Sequence, residues 1–460
     1  MRNHREWLIA AAAMMLAACG GDDGTCDPAN PEACEDGLVC DAVEGGEPGC
    51  FAPVVIRGEV FDLADEAAVE GAHVVALDVN GAALSEVAIS DETGAYELSL
   101  PSTRSADGVP IGIELTLRAD AAGYQTFPAG LRQALPLDTS TAADEEGTWV
   151  VASALSDIGL IALPSDAGNA QIFGSVELPA AETGVLVVAT GAGGTGYAAI
   201  ANRSGGYRIF NVPAGDYDVI AYARGVNYVP AQASVEAAGS AEADLALSDE
   251  ATGTVSGTVQ IVNAPGGSTT SVILAIESTF NEALARGQTV PGLRVPEPGV
   301  APDVTGEYVF EGVPAGRYVV LAAFENDALV RDPDLSIGGT SILHIEVTPG
   351  ETTTVDGFKV TEALEVFGPG ATSAEAVTGA PTFSWADDSS EDQYVVEVFD
   401  AFGELVWEQT IAGVSGRDPT LDYAGPALEA GMYYQYRVTS MKDGVPISRT
   451  EDLVGVFFVP

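Results

Sequence analysis

Few side chains in this 460-residue chain have types and spacings that could do chemistry, and cysteine is the first of them. Cys26, Cys34, Cys40 and Cys50 fall within 25 residues of one another, in a stretch rich in Gly, Asp and Pro. Four thiols in a segment with too few apolar residues for a core predict two disulfides, with three connectivities open. Zinc ligation is the competing chemistry, but no histidine is nearby and no C-x-x-C spacing occurs. Gly191-Ala192-Gly193-Gly194-Thr195-Gly196 has the literal form G-x-G-x-x-G, with Asp216 20 residues past its last glycine. A pyrophosphate cradle needs a helix directly after those glycines. Only Tyr197–Ala201 intervene before the next turn, so the stretch predicts two strands joined by a glycine loop, and no nucleotide. His73 and His344 stand in separate β-type runs, and neither G-x-S-x-G nor H-E-x-x-H occurs. Asp387-Asp388-Ser389-Ser390-Glu391-Asp392 offers oxygen ligands suited to calcium, but reads as an acidic hairpin loop. These patterns predict no catalytic residues, no cofactor and no metal.

Cys19 has a different setting. Met1-Arg2-Asn3-His4-Arg5 is a short basic start, and an apolar run extends from Trp7 to Ala18. As a helix that run would measure about 18 Å, against a hydrocarbon core of about 30 Å, so it cannot span a bilayer. It ends in Leu16-Ala17-Ala18-Cys19-Gly20, which closely resembles the lipobox of bacterial lipoprotein signals. The resemblance implies cleavage after residue 18 and a lipid-anchored Cys19. Two or more acyl chains, at about 0.8 kcal/mol per buried methylene, hold a protein stably on a membrane. Gly20 in place of aspartate resembles the signal for outer-membrane delivery in Gram-negative bacteria. The expected location is thus the cell envelope, with the membrane as a partner through the anchor alone.

The net charge is −50, and removing residues 1–18 leaves 16 basic and 67 acidic residues. Such a surface repels nucleic acid and anionic headgroups, which excludes a nucleic-acid role. Apolar residues make up 47% of the chain, enough to fold despite the repulsion.

The elements that must position these residues are short β-type runs punctuated by Gly, Pro, Asn and Asp from residue 54 onward. One opening recurs three times: Ile56-Arg57-Gly58-Glu59-Val60, Ile172-Phe173-Gly174-Ser175-Val176 and Val255-Ser256-Gly257-Thr258-Val259. A turn motif follows each: Asp91–Tyr96, Asn202–Tyr207 and Asp303–Tyr308. Val212-Pro213-Ala214-Gly215-Asp216-Tyr217 then matches Val313-Pro314-Ala315-Gly316-Arg317-Tyr318. The first repeat has no such block; Leu98-Ser99-Leu100-Pro101 leads into a polar insertion instead. Asp78-Val79-Asn80-Gly81 in that repeat predicts a two-residue hairpin turn. In order, the three motifs resemble the carboxypeptidase regulatory-like family, which implies transthyretin-like sandwiches at 54–163, 169–248 and 254–363. Lys359 and Lys442 are the only lysines, so the first two repeats cannot form Lys–Asn isopeptide staples.

Residues 364–460 have another pattern. Phe383-Ser384-Trp385 begins a strand, and Leu428, Tyr434, Tyr436 and Val438 share one face by even spacing. This stretch resembles a fibronectin type III domain, which implies Trp385 in the core and Tyr434 as the corner tyrosine.

The expected fold class is all-β: tandem β-sandwich (Ig-like or transthyretin-like) domains behind a signal peptide (1–18) and a Cys-rich stalk (19–53). The third repeat exceeds the second by 18 residues between its opening and turn glycines, the excess lying in Ser278–Pro302. Phe280–Arg286 is expected as a short helix and Arg294 on a Pro-rich loop, two arginines that could draw an anionic partner. The whole pattern predicts a non-enzymatic surface protein that acts as spacer and binding module for a polysaccharide or surface protein. The alternative, an accessory carbohydrate-binding role in polysaccharide uptake or degradation, would need exposed aromatic platforms, for which Tyr222, Tyr228 and Tyr433 are the candidates.

Overall fold

The computed structural model describes residues 26, 34, 38–129, 134–145, 147–164, 168–179, 184–262, 270–282, 286–297, 304, 306–323, 342–361, 363–388, 390–450 and 454–460. Cys19 and the lipobox lie outside the described residues. Within them the regular structure is strand, with two single-turn 3-10 segments at Thr139–Thr141 and Glu277–Thr279.

Alternating sequence makes the strands. Ala95–Leu100, written AYELSL, buries every second side chain, as do Glu307–Val313 and Gln393–Asp400. In each repeat the opening strand is the centre of one sheet. Val54–Asp62 pairs antiparallel with Ala95–Leu100 and parallel with Thr148–Val151 and Ile158–Leu160. Ala170–Ser175 lies likewise between Gly206–Val212 and Ser240–Glu242. Gly253–Val262 lies between Glu307–Val313 and the pair Thr352–Thr354 and Phe358–Thr361. The facing sheets also correspond: His73–Leu77, Leu186–Gly191 and Ser271–Ile276 are interior strands, each antiparallel to Glu114–Asp120, Gly215–Tyr222 or Gly316–Ala323. Glu114–Asp120 therefore takes the place of the missing Pro-Ala-Gly strand.

The turn motifs close by the chemistry their residues carry. Asp91 and Asn202 each accept backbone amides two and four residues on, and Gly94 and Gly205 take φ of +80° and +85°. The Tyr217 and Tyr318 hydroxyls donate to the Pro213 and Pro314 carbonyls, locking the two Pro-Ala-Gly turns. The Asp78–Gly81 expectation needs correction. Asp78 N–H donates to Ala82 carbonyl, leaving a three-residue loop with φ +76° at Gly81 alone. The Asp78 carboxylate accepts the Asn80 and Ala82 amides, which favours this wider turn.

Residues 364–460 form a fourth sandwich. One sheet is Val366–Gly368, Thr382–Trp385 and Thr420–Asp422; the other centres on Gln393–Asp400 and Tyr433–Lys442, with Leu405–Ala412 at its edge. Trp385, Phe383, Tyr394, Tyr436 and Phe457 are fully buried in its core, each contributing about 1.5–3 kcal/mol on area grounds.

The sandwiches are not beads on a string. Leu186–Ala189 is buried on both faces because Val187 and Ala189 point into the second core while Leu186 and Val188 join the third. This double burial accounts for a strand that is apolar at every position from 186 to 189. Arg118 of the first sandwich is buried where three domains meet. It pairs with Asp120 at 2.9 Å and donates to Gln288 Oε1 of the third sandwich and to the Ala198 carbonyl of the second. Asn211 reaches from the second sandwich to Gly123 N–H and to the carbonyls of Ala121 and Tyr124. Phe61 meets Phe402 of the fourth sandwich edge to face at 5.1 Å.

The described part of the Cys-rich segment lies against the first sandwich. Val39–Asp41 and Gly49–Phe51 form a small hairpin that docks onto the polar insertion of the first repeat. Arg104 supplies the dock: its Nε donates to Asp41 at 2.7 Å and its Nη2 to the Ala52 carbonyl, and its guanidinium lies over the Phe51 ring. Its backbone pairs with Ala42 and Glu44, and both Arg104 and Asp41 are almost wholly buried. Satisfying each charge with its partner and with backbone groups is what permits the burial.

Candidate functional site

The second and third sandwiches leave an open groove of about 810 Å³ between residues 193–196 and 277–282. The first wall is the tip of the hairpin Leu186–Gly191/Gly196–Ile200, held by Gly191 N–H to Thr195 carbonyl and by Gly194 at φ +80°. The fingerprint-like glycines are thus a strand-to-strand loop, and Gly196 among them permits close approach. A Cβ on Gly196 would come within 2.5 Å of Ser278 Oγ, while Gly193 and Gly194 leave the rim open. Thr190 Oγ1 donates to Ser278 Oγ at 3.1 Å and ties the walls together.

The second wall is the start of the third-repeat insertion. Glu277–Thr279 makes one 3-10 turn, and Asn281 and Arg286 pair backbone to backbone. Thr289–Val295 is then a full strand against Ser271–Ile276, so Arg294 sits opposite Ile273 and not on a loop. The described part of Phe280–Arg286 is bridge and turn, not the expected helix. Arg286 and Arg294 each make an interaction within the fold.

Glu277 organises this wall. Its carboxylate accepts from Arg317 Nε and Nη2, and His344 Nδ1 lies 2.7 Å from its Oε1. The Arg317 guanidinium holds the Glu277 carboxyl below its usual range, with His344 acting in the same direction against partial desolvation. Phe280 meets His344 edge to face at 6.4 Å and caps a small apolar cluster with Ile273, Ala275, Val319 and Leu321. Asn281 and Glu282 are exposed at the lip.

The other residues singled out from sequence are scattered. Cys26 bonds Cys40 and Cys34 bonds Cys50, one of the three open connectivities. Three of these sulfurs lie close enough together to resemble a metal site, but both bonds consume the thiols that a zinc ion would need. His73 packs edge to face on Phe210 at 5.0 Å, and its burial lowers its pKa. In the acidic loop, Asp387 accepts from Tyr394, Asp388 from Ser440, Glu391 from Val414 N–H and Asp392 from Asp443 N–H. These carboxylates therefore turn to separate donors and do not face one point.

Two of the three aromatic platforms are overturned. Tyr222 is buried at the seam beside Tyr318, and Tyr228 is buried with its hydroxyl donating to Glu177 carbonyl. Tyr433 is half-buried and stacks on Phe458 at 4.8 Å. Sequence reasoning missed Glu277 and Arg317 because they come together only through sheet register. It missed Arg104 and Arg118 because each meets its partners across distant segments.

No family model and no curated protein matches the chain. Among solved structures, it is similar to the Bacillus anthracis TIE protein, at 12% identity over 85% of this chain and 68% of that one, with a TM-score of 0.15. It is also similar to BcpA, the major pilin subunit of Bacillus cereus, at 12% identity over 67% of this chain and 99% of that one, TM-score 0.18. A DUF3823 family protein from Bacteroides uniformis aligns at 15% identity over 45% of this chain and all of that one, TM-score 0.20. By its own sheet topology, the chain is an all-β protein of tandem β-sandwiches behind a disulfide-closed segment.

Proposed function

We propose that this chain is a non-catalytic lipoprotein of the bacterial cell surface, acylated at Cys19, whose sandwiches form a binding module at the envelope. The observation that carries the reading is the disulfide-closed segment behind the lipobox-like Cys19. Interleaved bridges 26–40 and 34–50 suit an oxidising compartment outside the cytoplasm. The repeats read as carboxypeptidase regulatory-like domains, supported by the shared position of their three opening strands. Residues 364–460 read as a fibronectin type III-like domain. Support comes from the buried Trp385 and from the Tyr434 hydroxyl, which accepts the Glu429 amide five residues upstream.

A non-enzymatic role fits the groove. Acid–base hydrolysis needs one carboxyl kept protonated beside one ionised. Glu277 is held ionised by Arg317, and Glu282 is exposed. Because the sandwiches pack on one another, binding is favoured over reach. Mass spectrometry of the mature N-terminus, with protease treatment of intact cells, tests the reading. The expected result is a chain starting at Cys19 with added acyl mass and cleaved from outside. An unlipidated product in the medium, starting elsewhere, would remove the envelope reading.

A further inference from the structure

The groove between residues 193–196 and 277–282 has the volume of a ligand site and a lining of unusual chemistry. Hydroxyls and amides predominate: Thr195, Ser278 and Asn281 supply side-chain donors and acceptors, and the bare glycines add a peptide rim. The large apolar side chain among its described lining residues is Phe280, partly buried and edge to face with His344. Of the two carboxylates among its described lining residues, Glu277 is neutralised by Arg317 and Glu282 is exposed. A chain of net charge −50 repels anionic ligands, and one exposed carboxylate gives little hold on a cationic one.

We infer that this groove binds a short stretch of neutral oligosaccharide, with a sugar ring against Phe280 and its hydroxyls on Asn281, Glu282 and the Gly193–Gly194 peptides. An aromatic face accepts the C–H face of a sugar, and dense, uncharged hydrogen-bonding groups match its hydroxyls. The open shape admits a chain passing through, where an enclosed pocket would admit only a terminus. Two domains build the site, so its geometry depends on the Thr190–Ser278 tie and on the Gly196 approach. The inference rests on the surface-binding reading and gives it a ligand class.

The test is isothermal titration of the full mature chain with neutral tetrasaccharides of glucose, mannose, galactose and N-acetylglucosamine, beside a tetralysine peptide. At least one tetrasaccharide should bind saturably. Phe280→Ala should weaken it about tenfold or more, and the double variant Asn281→Ala/Glu282→Ala by a similar factor. Thr195→Arg, on the exposed rim, should block binding while leaving the thermal midpoint unchanged, which separates loss of the site from loss of the fold. Three results would each overturn the inference: no saturable tetrasaccharide binding, affinity unchanged in all three variants, or binding of tetralysine alone. None of them bears on the mature N-terminus, so the envelope reading stands or falls separately.

Discussion

Gly58 stands directly across the strand pair from Tyr96, and the Tyr96 hydroxyl passes over the bare glycine to donate to the Ser156 carbonyl at 2.5 Å. A Cβ on Gly58 would lie 2.0 Å from that carbonyl oxygen. The same pairing recurs as Gly174 opposite Tyr207, whose hydroxyl donates to Ala243 carbonyl, and as Gly257 opposite Tyr308. The recurring glycine is therefore a place for the tyrosine and for the final strand to cross the sheet. In the third repeat the Tyr308 hydroxyl is buried with no partner among the described residues.

This difference predicts an ordered series. Tyr96→Phe and Tyr207→Phe should each lower unfolding free energy by about 1 kcal/mol, the net worth of a hydrogen bond. Tyr308→Phe should cost nothing measurable, or stabilise slightly. Gly58→Ala should cost about 3 kcal/mol or more, since the obstructing atom is backbone. Urea melts of the four variants check the order, and equal losses for all three tyrosines would contradict the assignment.

The Arg104–Asp41 pair predicts a strong asymmetry between single and double replacement. Asp41→Ala or Arg104→Ala leaves one buried charge alone and should cost about 3–5 kcal/mol. Replacing both, as Asp41→Leu with Arg104→Met, should recover most of that loss. The readout is amide exchange in Val39–Phe51, which should become fast in the single variants and slow again in the double.

Arg118 predicts a change in shape. Removing its guanidinium breaks contacts to the second and third sandwiches at once, a loss of about 3 kcal/mol on the scale of charged hydrogen bonds. Arg118→Ala should enlarge the radius of gyration in small-angle scattering and split the thermal transition. An unchanged scattering curve would mean that the apolar seam alone holds the domains.

Alkaline pH should act through buried phenols. Burial pushes Tyr222, Tyr228 and Tyr308 up to about 12, from an ordinary value of 10.0. The folded chain thus keeps protons that the unfolded chain gives up. Stability is whole below pH 10 and falls as pH rises from 10 toward 12. Phenolate absorbance should appear in one steep step coincident with unfolding; a gradual rise with the fold intact would argue against buried phenols.

The fold was legible wherever its signal was local. The repeated openings, the Asx-Gly turns and the Pro-Ala-Gly blocks each depend on residues within about six positions of one another, and the sheets follow them. The Gly191–Gly196 loop was separable from a nucleotide cradle for the same reason, because the next turn arrives too soon for a helix. What stayed hidden depends on long-range register. Nothing near Tyr222 in the chain announces that another domain covers it, and Tyr228 is covered by its own sandwich across a 51-residue separation. Glu277 and Arg317 are 40 residues apart and meet only because their elements pack side by side. The hydrophobic run through Leu186–Ala189 held a clue: a strand apolar at every position must be covered on both faces, and a lone sandwich supplies one cover.

The disulfide pattern has a mechanical corollary. A pull applied ahead of Cys26 reaches Cys40 directly through the first bridge, and Cys50 through the peptide to Cys34 and the second bridge. The load then arrives one residue from Asp41, which Arg104 grips from the flank of the first sandwich. Force on the segment ahead of Cys26 would reach the body of the molecule through this clasp, where one buried ion pair carries it.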